Sequence, residues 1–240
     1  MFRITTALTL LLAAPGCGGS AMGPLDISIR MAQPPIDPAA RSEAPDATGA
    51  LFAIESASAV VRHIRIDLPE ELDCEDIEDD DDATCAEDTV EITGPFEIDL
   101  VTGISTPPLE AIELPLGDWK RVDVRLDDGE GDVLDGNTLV ASGIASLDSG
   151  DTPFELALKF NEDVRFEDPD GISFGGGDAV LLGLDAGSWF ADVPLAECAE
   201  DEDLEFSGDT LMIEDGDGSC SDVENAIKEA MKRSGDLSRD

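Results

Sequence analysis

Hydrophobic and polar residues alternate along most of the chain between Leu25 and Leu184. Alternation with a period of two is typical of β-strands that bury one face. It recurs in residues 25–31, 60–68, 96–100, 112–114, 122–126, 138–147, 154–160, 164–167 and 179–184. Gly, Pro and Asp, which favour turns, lie between these runs. The pattern predicts a mainly β fold, either a sandwich or a barrel, and we expect a mainly antiparallel β-sandwich.

The last part of the chain has a helical pattern instead. Ser221 and Glu224 have the spacing of a capping box, in which each side chain binds a free backbone N–H of the other residue. Gly235 is expected to end the helix. We therefore predict one short C-terminal helix over residues 222–234, whose buried side follows this set of apolar positions: Val223, Ile227, Ala230 and Met231.

The N-terminus has the order of an export signal. Residues 1–3 carry one positive charge, residues 4–14 are uncharged and mostly apolar, and small residues lead to Cys17. This order resembles a bacterial lipoprotein signal, in which residues 1–16 are removed and Cys17 is lipidated. Ordinary cleavage after Ala14 or Ala21 is the alternative. Gly18, and not Asp, follows the cysteine, which by resemblance to known sorting favours the outer membrane.

Composition shifts divide the chain into four predicted segments. Residues 1–16 form the signal peptide, and residues 17–48 hold one strand and a proline-rich linker. Residues 49–147 are predicted to form the central β-sandwich domain, with a strongly acidic loop at 69–88. Residues 148–240 form a C-terminal β extension that ends in the helix.

The net charge of −42, from 56 acidic and 14 basic residues, limits the choice of partners. Such a charge repels the phosphates of nucleic acids and anionic membrane surfaces, so we expect neither to be a direct partner. The membrane is expected to be contacted only through the lipid anchor. Cations and basic proteins remain compatible partners. A purely solvated acidic surface is the simpler interpretation.

Four cysteines besides Cys17 are expected to form two disulfides, because an exported protein meets an oxidising compartment. Three connectivities are possible. We predict the local pairs Cys74–Cys85 and Cys198–Cys220, since each closes a short acidic loop. A zinc site is not expected, because the chain has no C-x-x-C pair and one histidine.

Three short motifs resemble a family of bacterial lipoprotein domains for which no function is assigned. They are the sequence VVRHI at 60–64, the sequence FEIDL at 96–100, and the sequence LPLGDWKRVDVRL at 114–126. The resemblance covers residues 51–147. It implies a surface-anchored β-sandwich similar to immunoglobulin-, prealbumin- and carbohydrate-binding-like modules, and it carries over no catalytic residue.

The residues offer little for catalysis. The stretch 171–175 matches G-x-S-x-G, but loop residues flank it on both sides, whereas a nucleophile elbow needs a strand before it and a helix after it. His63 is the one histidine, and alternation places it on the polar face of its strand, where a structural role is expected. We predict no catalytic residue and no enzyme, with a hydrolase as a distant alternative.

Two ligand types remain open from the sequence. Asp128, Glu130 and Asp132 alternate as calcium ligands do, but the glycine and the closing glutamate of an EF-hand loop are missing. Calcium is therefore the one candidate cofactor. Trp119 and Trp189 are suited to stack on a sugar, or else to pack in the core. Trp189 and Phe190 are expected to form a short helical turn or bulge that closes one end of the core.

These observations predict an exported, lipid-anchored protein of the cell envelope that acts as a non-catalytic structural or interaction module. A surface module that binds carbohydrate, calcium or a protein partner is the alternative. An exposed aromatic surface around Trp119 would favour the binding module. Two buried tryptophans would favour the structural or interaction role.

Overall fold

The computed structural model describes residues 22–32, 42–70, 72–77, 83–115, 117–128, 133–174 and 178–239. The signal segment, Cys17, Glu130 and Asp132 lie outside these residues. The helices are α1 (Leu195–Glu200) and α2 (Val223–Lys232). The strands are β1 (Met22–Met31), β2 (Ser42–Pro45), β3 (Leu51–Asp67), β4 (Ala83–Ala86), β5 (Thr89–Asp99), β6 (Ser105–Thr106), β7 (Ile112–Pro115), β8 (Gly117–Leu126), β9 (Leu139–Leu147), β10 (Gly150–Leu158), β11 (Glu162–Phe174), β12 (Asp178–Leu184), β13 (Phe206–Ser207), β14 (Thr210–Ile213) and β15 (Gly235–Arg239). The mainly β fold with a short C-terminal helix is confirmed.

The described strands form two sheets. Sheet A has the order β15-β12-β1-β7. Sheet B has the order β11-β8-β3-β9-β10-β14-β13, and β2, β4, β5 and β6 attach to it through β3 and β5. Most pairings are antiparallel as predicted, but β1 pairs with β12 and β10 with β14 in parallel. These partners come from distant parts of the chain, so no hairpin turn imposes an antiparallel direction on them.

Strand β3 is the centre of sheet B. Its first half pairs with β9 and its second half with β8, while β5 lies on its other side. The ladders shift register between Ile54 and Ser56 and again between Val61 and His63, as β-bulges do. The predicted alternation is confirmed here, because Ile64 and Ile66 are buried and Arg65 is exposed.

The buried faces of the strands form one core cluster. Alternate residues of β8 and β10 point into it, as the sequence predicts. These core residues are Val122, Val124, Leu126, Phe154, Leu156 and Leu158. The two sheets therefore share a core that a chain of this length can bury.

The predicted domain boundaries fall inside hairpins of sheet B. The boundary after residue 48 lies between β2 and β3, and the boundary after residue 147 lies between β9 and β10. Strand β1, from the predicted segment 17–48, lies between β7, from the segment 49–147, and β12, from the segment 148–240. Hydrogen bonds therefore connect all three segments.

Helix α2 is shorter than predicted, and the capping box is wrong. Its N-cap is Asp222, which forms no side-chain capping bond. The backbone N–H of Glu224 instead donates to Oδ1 of Asp215 at 2.9 Å. Asp215, a residue of the preceding loop, thus accepts a hydrogen bond from a free N–H at the start of the helix. The sequence pattern predicts instead that Ser221 caps the helix. The four predicted apolar positions of the helix are buried.

Several short elements were not predicted from the sequence pattern. Strand β2 lies in the predicted linker, and Gly235, predicted to stop the helix, is the first residue of β15. Ser173 lies in β11 and not in a loop. Helix α1 and strands β13 and β14 were not predicted, because elements of two to six residues show too few periods for a pattern to be recognised. Neither described helix has the length and apolar character needed to cross a bilayer.

Both predicted disulfides are present. Cys74 and Cys85 have Cα atoms 5.4 Å apart, and Cys198 and Cys220 have Cα atoms 6.0 Å apart. The second bridge joins α1 to the segment before α2, and both of its cysteines are buried. The first bridge is half-buried and links the ends of the acidic loop.

Removing the Cys198–Cys220 bridge with Cys198→Ala and Cys220→Ala is expected to make the amides of α2 exchange with deuterium well before those of β3. A bridge over a separation of 22 residues contributes about 3 kcal/mol in the loop-entropy model. The control is the pair Cys74→Ala and Cys85→Ala, which should leave α2 protected. Hydrogen exchange measured by mass spectrometry would contradict this prediction if α2 exchanged equally in both variants.

Candidate functional site

Both tryptophans are buried. Trp119 in β8 is 1% exposed and Trp189 is 0% exposed. Trp189 follows a short 3-10 helix over Ala186–Ser188, and the ring of Phe190 packs edge-on against that of Phe52 at 5.2 Å. The predicted turn that packs into the core is thus confirmed. Since neither indole reaches the surface, neither can stack on a sugar in solution.

The burial of Trp119 departs from the local pattern. Strict alternation places Trp119 on the same face as Arg121, which is the polar face of β8. The ladder between β8 and β11 is irregular between Glu167 and Ile172, opposite this part of β8. The extra residues lie in β11 and not in β8, so alternation along β8 does not by itself account for the burial of Trp119.

The calcium candidate is only partly described. Nζ of Lys159 lies 3.2 Å from Oδ2 of Asp128. Hydrogen bonding with Asp127 and then with Lys159 lowers the pKa of Asp128. Glu130 and Asp132 lie outside the described residues, so the set stays a prediction. Within the described ranges, no three His, Cys, Asp or Glu side chains form a group that could hold a metal ion.

His63 lies at the bulge of β3, opposite Thr93 of β5 and Arg125 of β8. Burial, followed by the charge of Arg65, lowers its pKa, so the neutral imidazole is favoured. Its Nε2 is buried and has no hydrogen-bond partner among the described residues. Ser173, the other candidate, lies opposite Asp118 in the β11–β8 ladder. A strand position of this kind does not provide the strand-turn-helix geometry of a nucleophile elbow.

A network of arginines and carboxylates covers the outer face of β3, β8 and β11, which we call the polar sheet face. Asp123 is its centre and binds both Arg121 and Arg165, the latter at 3.0 Å. Burial alone would raise the pKa of Asp123, but hydrogen bonds from these two guanidinium groups outweigh it and hold that pKa below its usual range. This contribution to stability is present at neutral pH and is lost as the pH falls through the lowered pKa.

Further ion pairs extend the polar sheet face. Arg125 binds Asp163 at 3.1 Å, and Arg65 binds Glu91 at 2.9 Å. These pairs are solvent-exposed, so each contributes little to stability. Their effect is to neutralise charge locally on a protein that is otherwise strongly acidic. Each of these described guanidinium groups already has a carboxylate partner, so none of the four is a free cation for an anionic ligand.

Several cavities open at the surface of the described fold, two of them beside β15 and β5. The first, which we call the end cavity, has a volume of about 430 Å³ between the 3-10 helix at 186–188 and the start of β15. Its charged lining consists of Asp185, Asp192, Asp236 and Arg233, and Arg233 binds Asp192 at 2.8 Å. The second has a volume of about 530 Å³ beside β5 and a surface that is polar and apolar in nearly equal parts, with Phe96, Pro107 and Leu109 among its lining residues.

Asp46 is a buried acid that the sequence pattern did not single out. It is 5% exposed and accepts four hydrogen bonds. Three come from Thr48 and Ala50 in its own turn, and the fourth comes from the N–H of Ala196 in α1 at 2.8 Å. The spacing between Asp46 and Thr48 is typical of an Asx turn. The contact with α1 joins residues 150 positions apart, and no local sequence pattern predicts it.

No family model, curated protein or solved structure matches this chain. The resemblance over residues 51–147 therefore stays a prediction. The described residues bring together a buried aromatic core, a neutralised polar sheet face and several open cavities.

Proposed function

We propose that this protein is exported and anchored in the cell envelope through lipid on Cys17, with the outer membrane as the expected location. The observation that carries the proposal is the position of Cys17, five residues before β1 begins at Met22. Cleavage before Cys17 leaves every described strand intact, including β1 between β12 and β7. The signal pattern and the fold are therefore compatible at that point.

The folded part is proposed to be a non-catalytic structural or interaction module. Burial of Trp119 and Trp189 supports this role over sugar binding by aromatic stacking. The half-buried His63 and the strand position of Ser173 support it over hydrolysis. A structural module needs a stable core and a soluble surface, which are consistent with the single core cluster and the net charge of −42.

We also propose that the fold is a sandwich of immunoglobulin or prealbumin type, like that of the lipoprotein domains that residues 51–147 resemble. Two features support it. The N–H of Met31 at the end of sheet A donates to the carbonyl oxygen of Leu100 beside β5 at 2.7 Å. Residues of both sheets, such as Ile29 and Ile98, belong to one core cluster.

Replacing Cys17 with serine is expected to move the protein from the membrane fraction to the soluble fraction, because the anchor is a thioether on this residue. Ser20→Ala, three positions later, is the control and should leave the protein in the membrane. An uncleaved signal could itself retain the Cys17→Ser variant, so incorporation of labelled palmitate is measured as well. Labelling of Cys17→Ser equal to that of the parent chain would refute the anchor.

A further inference from the structure

We infer that the cavity beside β5, which we call the edge cavity, binds an extended basic peptide segment of a partner protein. The segment adds a short strand to β5, and it places an apolar side chain in the cavity and a lysine or arginine beside Glu110. This inference rests on the proposed role as a non-catalytic interaction module, and it names the chemistry of the partner.

Part of β5 has no neighbouring strand among the described residues on the side away from β3. On that side β4 pairs with β5 as far as Ile92, and β6 pairs with it from Glu97 onward. No described strand pairs with the stretch between them, residues 93–96, which we call the open edge. At about 3.3 Å per residue it is roughly 13 Å long. An open sheet edge binds an extended peptide through backbone hydrogen bonds.

The edge cavity lies along the open edge. Its volume of about 530 Å³ is within the range of roughly 300–1,000 Å³ that is typical of ligand pockets. Residues 92–96 form one wall, and residues 107–112, which lead from β6 to β7, form the other. Thr93 and Glu110 are the two lining residues with polar side chains, yet polar and apolar surface are nearly equal. Backbone groups therefore supply much of the polar surface, as they do at an open strand edge.

The second wall of the edge cavity is held in place by the fold. The N–H of Leu109 donates to Oγ of Ser105 at 2.7 Å. At the other end of this wall, Ile112 is buried and pairs with Leu25 of β1. The cavity is therefore formed before any ligand arrives, so binding does not have to order this segment.

The chain next to the second wall exposes apolar side chains. No residue from 100 to 109 is charged, in a chain of which 29% is charged. Ile104 is 67% exposed, and Pro107 and Pro108 are exposed as well. Apolar groups gathered on a strongly charged protein favour contact with the apolar side chains of a partner.

Charge and hydrogen-bonding capacity favour a basic partner. The lining contains one charged residue, Glu110, and no lysine, arginine or histidine. Pro95 and Pro107 have no backbone N–H, so at these positions the lining offers carbonyl oxygens and no donors. A peptide that carries lysine or arginine supplies both donors and positive charge. The net charge of −42 attracts such a peptide from solution.

Two other occupants fit this cavity less well. A sugar is held by stacking on an exposed aromatic ring, but Phe96, the aromatic residue of the lining, is 7% exposed. A second copy of the chain also carries a charge of −42, so repulsion opposes its approach. A basic peptide meets neither obstacle.

The test uses the purified full chain and three short fluorescein-labelled peptides at physiological salt. The first peptide alternates lysine and valine, the second has glutamate in place of each lysine, and the third has serine in place of each valine. Fluorescence anisotropy is expected to show the lysine–valine peptide binding about tenfold more tightly than either of the others. The lysine–serine peptide controls for general attraction to an acidic protein. Equal affinity for the lysine–valine and lysine–serine peptides would overturn the inference.

Glu110→Lys is expected to weaken binding of the lysine–valine peptide by about tenfold, because repulsion replaces attraction beside the cavity. Glu205→Lys is the matched control and should bind as the parent chain does. It makes the same change of charge before β13, which β3, β9, β10 and β14 separate from β5. Both glutamates are exposed, and fluorescence of the buried tryptophans verifies that each variant folds. Equal weakening in the two variants would contradict a site at the edge cavity.

Hydrogen exchange measured by mass spectrometry locates the bound peptide. At saturation with the lysine–valine peptide, the amides of residues 93–96 are expected to exchange several-fold more slowly, and those of β13 to stay unchanged. Protection that leaves the open edge unaffected would overturn the inference.

Three further outcomes separate the inference from the proposed function. Dimerisation without peptide, seen by analytical ultracentrifugation together with protection of residues 93–96, would assign the open edge to a second copy and overturn the basic partner. Failure of the lysine–valine peptide to bind would also overturn the inference, while leaving a structural role standing. Cleavage of the peptide, detected by mass spectrometry, would refute the non-catalytic role on which the inference rests.

Discussion

Replacing Asp46 with alanine is expected to lower the free energy of unfolding by about 3 kcal/mol, because buried hydrogen-bond donors lose a charged acceptor. Its carboxylate accepts from the N–H and hydroxyl of Thr48 and from the N–H of Ala50. Its second oxygen accepts from the N–H of Ala196 in the first turn of α1. Alanine removes all four bonds and disconnects the β2–β3 turn from α1.

Two further variants separate the local and long-range parts of this effect. Asp99→Ala is the matched control, since Asp99 accepts from the N–H groups of Val101 and Thr102 in its own turn. A loss of about 1 kcal/mol is expected there, typical of a single turn or cap. Asp46→Asn keeps one acceptor oxygen but places an N–H₂ group at Ala196 or in the turn, so an intermediate loss is expected.

Denaturant unfolding followed by tryptophan fluorescence measures these differences, because both indoles are buried and report on the core. Hydrogen exchange of α1 should increase in both Asp46 variants and stay unchanged in Asp99→Ala. Equal destabilisation by Asp46→Ala and Asp99→Ala would contradict the importance of the contact with α1.

Replacing Gly143 with alanine is expected to destabilise the fold by about 3 kcal/mol or more, because backbone atoms cannot move aside as a side chain can. Gly143 lies in β9 between Ile54 of β3 and Phe154 of β10. A Cβ atom there would overlap the carbonyl oxygen of Ala53 and lie 3.0 Å from the ring of Phe154. The close approach of β3 and β9 at the bulge of β3 leaves no room for it.

Gly183→Ala is the matched control, because Gly183 is also a glycine within a strand. Its nearest neighbour to an added methyl group is Cβ of Ala32 at 3.4 Å, an ordinary contact. A change within about 1 kcal/mol is expected, as for most substitutions that create no clash. Soluble yield and the midpoint of thermal unfolding compare the two variants, and similar values for both would contradict the clash at Gly143.

The strands were predictable from the sequence where their pattern is long. Alternation in β1, β3, β8 and β10 located these strands and the faces they bury, because a side chain's face depends on parity along a single strand. The helical positions of α2 were predictable for the same reason. The two disulfides also followed from the sequence, since each pair of cysteines closes a short separation.

Only the tertiary structure decided the features that depend on residues far apart in the chain. The parallel pairing of β1 with β12 and the contact of Asp46 with Ala196 join segments whose local sequence patterns do not predict each other. The burial of Trp119 likewise depends on the segments that pack over it. Alternation along β8 places Trp119 on the polar face with Arg121 and does not predict this burial. Local sequence determines which face a residue prefers, whereas the neighbour that meets that face is chosen by packing of the whole chain.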